Sequence, residues 1–331
     1  MNTTVSRRTA LGAVLLSALT RPGFAQVEGW RPTRPIRMVV PTAAAGANDV
    51  MARIAAQHLA SRLGQPVVVD NKAGAGGTIG TVDVVRSPPD GHTVLMGNIG
   101  AQSIAYSLAR NMPYSPDDLL PVTNMFITPH VLVVHPSVPA TTVPEFVALL
   151  RANPDKYSYG TPGIGQSPHL AAVWFNQLAG TSSVAVHYRG TAPANTDLYA
   201  GTIHFVFDLI ANHVEAIRAG RVRALAVTGA DRSPLMPELP AMRTTMPEFA
   251  GFTTGSWIGL LAPRGTPEAA IRTFNLEMKE LLTAPDTAQR FLALGGQPAY
   301  GRPEEFGAFL RQEIAKWGEV IRREGLQVDL T

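Results

Sequence analysis

Four short stretches of this 331-residue chain could hold a ligand, and none carries the groups needed to transform one. They lie at 42–48, 97–101, 163–168 and 190–193 and are built mainly from Gly, Ala, Ser, Thr and Asn. Each follows an apolar run and precedes an amphipathic stretch, where a strand gives way to a helix. The first N–H groups of a helix have no intrahelical partner and sit at the positive end of its dipole, which suits a carboxylate or phosphate. In the first stretch, a strand over 36–40 stops at Pro41, Gly46 allows a bend, and Asn48 or Asp49 can cap a helix running to about Arg62. Arg189, directly before the last stretch, is the only cation beside these loops, so backbone donors and hydroxyls would carry most of a ligand's negative charge. Donors without an activated nucleophile imply binding rather than catalysis.

Other chemistries find weaker support. The Gly-rich run at 74–80 spaces as G-x-G-x-x-x-G and follows the second strand, and Asp90 stands in a proline turn, so a positive-φ turn is the better reading than a dinucleotide site. No G-x-x-x-x-G-K-[ST] and no G-x-S-x-G occurs. The eight histidines lack H-E-x-x-H spacing, His130 and His135 would face opposite sides of one strand, and His169 suits a loop-stabilising role. No metal or cofactor is expected. Asp208 ends a strand, where it could meet a ligand or cap a helix. Trp257 and Tyr188 read as core or rim aromatics.

The elements that must position these loops alternate as strand and helix from Ile36 onward, which predicts an α/β fold with a mostly parallel sheet. Strands are expected at 66–70, 92–96, 157–160, 184–188, 203–207 and 223–227, with helices between them. Residues 119–127 read as an extended crossing followed by a separate strand at 130–134, and 251–261 read as a return crossing. Three helices close the chain, at 267–282, 285–294 and 303–323. Two crossings imply a discontinuous first lobe (26–124 and 251–331) and an inserted second lobe (125–250), each a Rossmann-like sheet flanked by helices, with a cleft between them.

Residues 1–25 resemble an export signal: Arg7-Arg8 in the charged part, an apolar run at 10–19, and Gly23-Phe24-Ala25 at the cleavage site. The arginine pair fits the twin-arginine route, while Ala10 in place of a bulky residue leaves ordinary secretion open. A periplasmic location is expected, and a chain without cysteine meets no pairing problem there. Removing the leader takes three of the 28 bases and leaves 25 against 25 acids, so no basic tract remains to suggest nucleic acid.

At this point the chain resembles the Bug-type solute-binding proteins of tripartite tricarboxylate transporters. The resemblance rests on Pro35-Ile36-Arg37-Met38-Val39-Val40-Pro41 with Gly46 and Asp49, Val67-Val68-Val69-Asp70-Asn71-Lys72 with Gly74-Ala75-Gly76-Gly77, Pro89-Asp90-Gly91-His92, Ser167-Pro168-His169, Tyr188-Arg189-Gly190-Thr191-Ala192-Pro193, Phe207-Asp208 and Ser256-Trp257. It implies a two-lobed periplasmic binding protein of type II, closing on a small carboxylate and serving membrane permease subunits, with a monomer expected. The family's ligand positions fall here on Thr42, Ala43, Ala44, Gly46, Ala47 and Asn48 in the first lobe, and on Gly163, Ile164, Gly165, Gln166 and Ser167 in the second. Asn98, Thr191, Ala192 and Asp208 flank them.

The first loop departs from the family's P-F-P-A-G-G-P-T-D. Thr42 replaces Phe, Ala43 and Ala47 replace Pro, and Ala45 replaces Gly. Thr42 exchanges an apolar wall for a hydroxyl, and Ala45 is expected to keep negative φ. Two alternatives to a transport receptor remain: an enzyme acting on an organic acid in the same cleft, with Asp208 and His169 as candidate groups, and a ligand sensor for a signalling partner.

Overall fold

The computed structural model describes residues 30–329; the leader expected at 1–25 lies outside them. Ten strands form one mixed sheet in the order β2-β1-β3-β9-β4-β7-β5-β6, with β8 and β10 also paired to β4. The first part begins with β1 (Ile36–Val40), α1 (Ala47–Leu63), β2 (Val67–Asn71), α2 (Thr78–Val85) and β3 (Thr93–Asn98). A π-turn at Gly100–Ile104 runs into the short α3 (Ala105–Leu108). β1 is parallel to both β2 and β3.

The strands expected at 119–127 and 130–134 are one 16-residue strand, β4 (Leu119–Val134). Its first part pairs antiparallel with β9 (Gly255–Pro263), ending at Pro129↔Gly255. From His130 its pairing passes to β7 (Phe205–Leu209). Pro129 has no N–H to donate, so it stands where the strand changes partners at no cost to the ladder. Pro121 sits at a register shift for the same reason.

Beyond β4 come α4 (Val143–Ala152), β5 (Ser158–Thr161), α5 (Ser167–Ala179), β6 (Val184–His187), α6 (Thr191–Ala200), β7, α7 (Val214–Arg218) and β8 (Arg223–Val227). β5 is parallel to β6 and β7. The sheet is thus parallel on both flanks and antiparallel through its centre, because β9 and β4 run back between the flanks; the mostly parallel expectation holds only at the edges. After β9 the chain finishes with α8 (Glu268–Thr283), α9 (Pro285–Ala293), the two-residue β10 (Gln297–Pro298) and α10 (Pro303–Glu324).

Strand alternation sorts the core onto both faces. Ile36, Met38 and Val40 pack with α1, α8 and α9, whereas Val39 and Leu95 pack with α2, α3 and α10. On the other flank Leu132 and Val134 face α4 and α5, while Val131 and Val133 face Leu198 of α6 and Ala216 of α7. Leu170 and Val173 of α5 join the core formed around Trp257 and Trp317, tying the second flank to the first. No helix among the described residues is long and apolar enough to cross a membrane.

Candidate functional site

Because β2, β1 and β3 are parallel neighbours, the loops at their C-terminal ends meet. The Asn71 amide donates to the Thr42 carbonyl at 3.3 Å, and a Cβ on Gly80 would press on Pro41 and on the Lys72 carbonyl. Gly77 takes φ +96°, which favours glycine, and a Cβ there would sit tightly between Pro41 and Ala101, at 3.3 and 3.0 Å. The run at 74–77 is therefore a positive-φ turn that brings α2 against the first loop, as its spacing suggested.

Neither Asn48 nor Asp49 caps α1. Gly46 is the N-cap residue, and no side chain among the described residues accepts from the first-turn N–H groups. Asn48 has already entered the helix, is buried, and donates its amide to the Met96 carbonyl at 3.1 Å, pinning α1 to β3. Asp49 turns back instead, accepting from the Ala45 N–H at 2.9 Å and from Arg53 at 3.0 Å. The Arg53 bond foremost, and against the cost of burial the Ala45 N–H, hold its carboxyl below the usual carboxylate range. That bond accompanies the second departure. Ala45 has φ +66°, the left-handed conformation natural to glycine, not the negative φ expected of it. An L-residue there costs roughly 1 kcal/mol, offset by the Ala45–Asp49–Arg53 brace.

Thr42, Ala43, Ala44, Gly46 and Ala47 line the β1–α1 loop, with 43–47 exposed. Asn98, at the end of neighbouring β3, accepts through Oδ1 from the N–H groups of Gly100 and Ala101 and so caps the π-turn. Two further residues emerge here that sequence reasoning missed. The hydroxyls of Thr78, at the start of α2, and Ser103, in the π-turn, are buried without a partner among the described residues, as is the hydroxyl of Thr42. An unpaired buried hydroxyl costs on the order of 1–3 kcal/mol; the three lie in the elements after three adjacent strand ends, inside the packing that supports the exposed β1–α1 loop. Their signal was small polar residues at helix starts, diluted by similar residues elsewhere.

The second group gathers in the same way after β5, β6 and β7. Gly163 and Gly165 take φ +149° and +73°, and the Gly165 N–H donates to His169 Nδ1 at 3.1 Å. His169 thus stabilises its loop; burial pushes it down to about 4, so it is neutral at pH 7. Ile164 is exposed, Gln166 is the N-cap residue of α5, and Ser167 opens that helix. The Gly190 N–H donates to the Pro162 carbonyl at 3.1 Å, placing Thr191 and the exposed Ala192 beside this loop. A Cβ on Gly165 would collide with Leu108 of α3, so this loop touches the first half of the chain there.

Asp208 is placed differently from the other candidates. It is 4% exposed, and its Oδ1 accepts from the Leu209 N–H (2.7 Å) and Asn212 (3.1 Å). Its Oδ2 meets Asn195 (3.2 Å), Asn212 (3.1 Å) and His213 Nε2 (3.0 Å). A carboxylate has about four acceptor sites, so this one is filled from within the protein and ties α6 to the segment after β7. Burial pushes its pKa up, but the bonds from His213, Asn212 and Asn195 prevail and hold it below the ordinary value.

The two groups proposed for catalysis do not assemble. Asp208 pairs with His213, and His169 with the Gly165 N–H. Ser167 does lie 3.3 Å from His130 Nε2, but the other nitrogen of that ring faces Thr254 at 3.2 Å, with no carboxylate to orient it. His130 is fully buried and pushed down to about 4 by that burial. A potential metal cluster, His58 with Glu277 and Glu280, is already engaged by Arg62, which bonds the two carboxylates at 2.8 and 2.9 Å.

Comparison with known proteins agrees with this donor-rich, base-poor arrangement. Residues 51–326 match the family model described as "Tripartite tricarboxylate transporter family receptor". The chain is 34% identical over 299 residues to Protein BugT of Bordetella pertussis, covering 90% of this chain and 91% of the relative. Among solved structures, an R. palustris protein with adipate is 32% identical with a TM-score of 0.75, covering 90% of this chain and 99% of that one. MatC from Rhodopseudomonas palustris with bound malate is 31% identical with a TM-score of 0.70, covering 88% and 99%. The fold is that of periplasmic binding proteins of this type, and the chain belongs to the tripartite tricarboxylate transporter family of solute-binding receptors.

Proposed function

We propose that this chain is a periplasmic receptor that captures a small organic acid by lobe closure and hands it to the permease subunits of a tripartite tricarboxylate-type transporter. The lobes in this reading are 26–124 with 251–331, and 125–250. The acid's carboxylate is held by Thr42 to Asn48 from one side and by Gly163 to Ser167, Thr191 and Ala192 from the other; Asn98 shapes the first side and Asp208 stiffens the second. The observation that carries the reading is the exposed N-terminus of α1, whose first N–H groups have no side-chain cap among the described residues. They offer donors to an anion and no base to attack it. The adipate in one similar structure and the malate in another support a small carboxylate, a dicarboxylate among the candidates, as the ligand.

The test is a thermal-shift screen over mono-, di- and aromatic carboxylates. At a hundredfold excess over Kd a true ligand adds about 2.7 kcal/mol to stability. A chain stabilised by an amine or sugar and by no carboxylate would refute acid capture, and turnover of a bound acid by the purified protein would refute the receptor reading.

A further inference from the structure

We propose that His187, at the end of β6, is a positioning residue for the loop at 163–165, and that protonation of its ring changes how that loop is held and strengthens its grip on an anion. The grip on an anion rests on the acid-capture reading; the control of the loop does not. His187 is exposed and stands in register with Thr161, the last residue of β5. Two side chains hold the loop. The buried Thr161 accepts from the Gly163 N–H through Oγ1 at 3.2 Å, and His169 accepts from the Gly165 N–H through Nδ1. Both meet His187: Thr161 Oγ1 lies 3.0 Å from its Nδ1, and the His169 ring meets its ring edge-on with centroids 4.9 Å apart. One exposed imidazole therefore buttresses both fixings of a loop whose glycines take positive φ.

A hydroxyl has one proton to give and two acceptor sites, and an imidazole nitrogen accepts or donates according to its protonation. In the neutral ring with its proton on Nε2, Nδ1 accepts from Thr161 while Oγ1 accepts from Gly163. Once the ring is protonated, Nδ1–H must donate. The Thr161 hydrogen then turns to the Gly163 carbonyl, 3.3 Å away, which already accepts from the Gln166 N–H at 3.3 Å. Protonation thus places a charge beside the loop and redirects a bond at Gly163, and an anion held on the loop favours the protonated ring in return. Partial burial pushes His187 below 6.5, and no charged partner among the described residues opposes this. The neighbours from other elements are few. His169 of α5 is pushed down to about 4 by burial, and Tyr159 of β5, raised by burial, stacks on His169 at 6.4 Å, so both stay neutral between pH 5 and 8. Arg189, two residues on, is exposed, and Asp197 of α6 accepts from the Tyr188 hydroxyl at 2.6 Å.

The Gly163 and Gly165 amides of the free protein, followed in ¹H–¹⁵N spectra from pH 8 to pH 5 beside the His187 ring protons, test the control of the loop. Both amides should shift with the ring through one shared midpoint below 6.5. His187→Asn keeps a polar atom near the place of Nδ1 but cannot titrate, and Thr161→Val cuts the link while the ring still titrates; in each the Gly163 amide should lose its pH-dependent shift. Amides that stay put while the ring titrates, amides that move alike in His187→Asn, or a ring that remains neutral down to pH 5 would overturn the proposal. Malate and adipate, titrated calorimetrically at pH 5 and pH 8, test the grip. Tightening on the acid side should be about three- to tenfold greater in the native protein than in His187→Asn, the equivalent of a ring that holds its proton by that factor more tightly in the complex. Equal pH dependence in the two proteins would overturn the link to capture. Binding of neither acid at either pH would count against acid capture itself, and the free-protein titration would still decide the role of His187.

Discussion

Asp208→Ala separates a structural acid from a ligand-binding one. The substitution removes five hydrogen bonds of 2.7–3.2 Å and strands four donor groups, the Leu209 N–H, Asn195, Asn212 and His213, in an environment that is 4% exposed at the acid itself. Removing one side of a buried charged network costs about 3–5 kcal/mol. With an unfolding entropy of about 2.1 cal/mol/K per residue over roughly 300 residues, Tm falls by about 5–8 °C. Asp208→Asn keeps the volume and removes the charge, which adds a pH signature. The native carboxyl is held below its unfolded value, so its contribution is complete above about pH 4 and is lost as pH falls through the native value. The stability gap between the native protein and Asp208→Asn should therefore close only in that acid range. Urea melts from pH 3 to 8 give the gap, and calorimetry on folded protein gives the affinity. Affinity for the acid found in the screen should change by less than about threefold, or roughly 0.7 kcal/mol. Unchanged stability with abolished binding would refute the argument and return Asp208 to the ligand.

Three further outcomes are expected. Ala45→Gly releases the left-handed strain of roughly 1 kcal/mol at φ +66° against a glycine entropy cost of about 0.5–1 kcal/mol, for a net change of about 0–0.5 kcal/mol, or a Tm unchanged or higher by up to about 1 °C; a Tm lower by about 2 °C or more would show that the strain is absent. His130, held neutral by burial, makes stability fall as pH drops from its unfolded 6.5 to its native value of about 4, by about 3 kcal/mol; a His130→Gln variant whose pH profile parallels the native one would contradict this. Thr42→Phe replaces a hydroxyl by an apolar wall and should shift selectivity among mono-, di- and aromatic carboxylates without lowering Tm by more than about 3 °C, since Thr42 is only half-buried and the hydroxyl lost has no partner among the described residues; an unaltered ligand ranking would remove Thr42 from the specificity determinants.

Much of the fold was legible because apolar runs and turn residues alternate cleanly. The strands at 36–40 and 223–227 fall where the residues place them, and most other boundaries move by one to three positions. What escaped depends on groups distant in sequence. Pro129 falls in the gap between the strands expected at 119–127 and 130–134, yet β4 runs through it, since pairing passes there from β9 to β7. Ala45 looks like a residue of negative φ until Asp49 is seen to hold its N–H. Asp208 was ambiguous because Asn195, thirteen residues earlier, closes its network only in three dimensions. Thr78 and Ser103 resembled ordinary helix-start residues, and only their unpartnered burial sets them apart.

The continuity of β4 also governs how receptors of this kind can be recombined. A gene chimera joined at residue 124 would cut the strand after its sixth residue and give each parent part of a ladder built for the other. Val131 and Val133 pack with α6 and α7, while Val122 and Met125 pack under α1 and α8, so a mixed strand would carry mismatched cores on both sides of the junction. Splice sites placed before Leu119 and after Pro263 keep β4 and β9 together with a single parent. A library of exchanged parts built on those junctions should fold where one built on compact-looking boundaries yields aggregates.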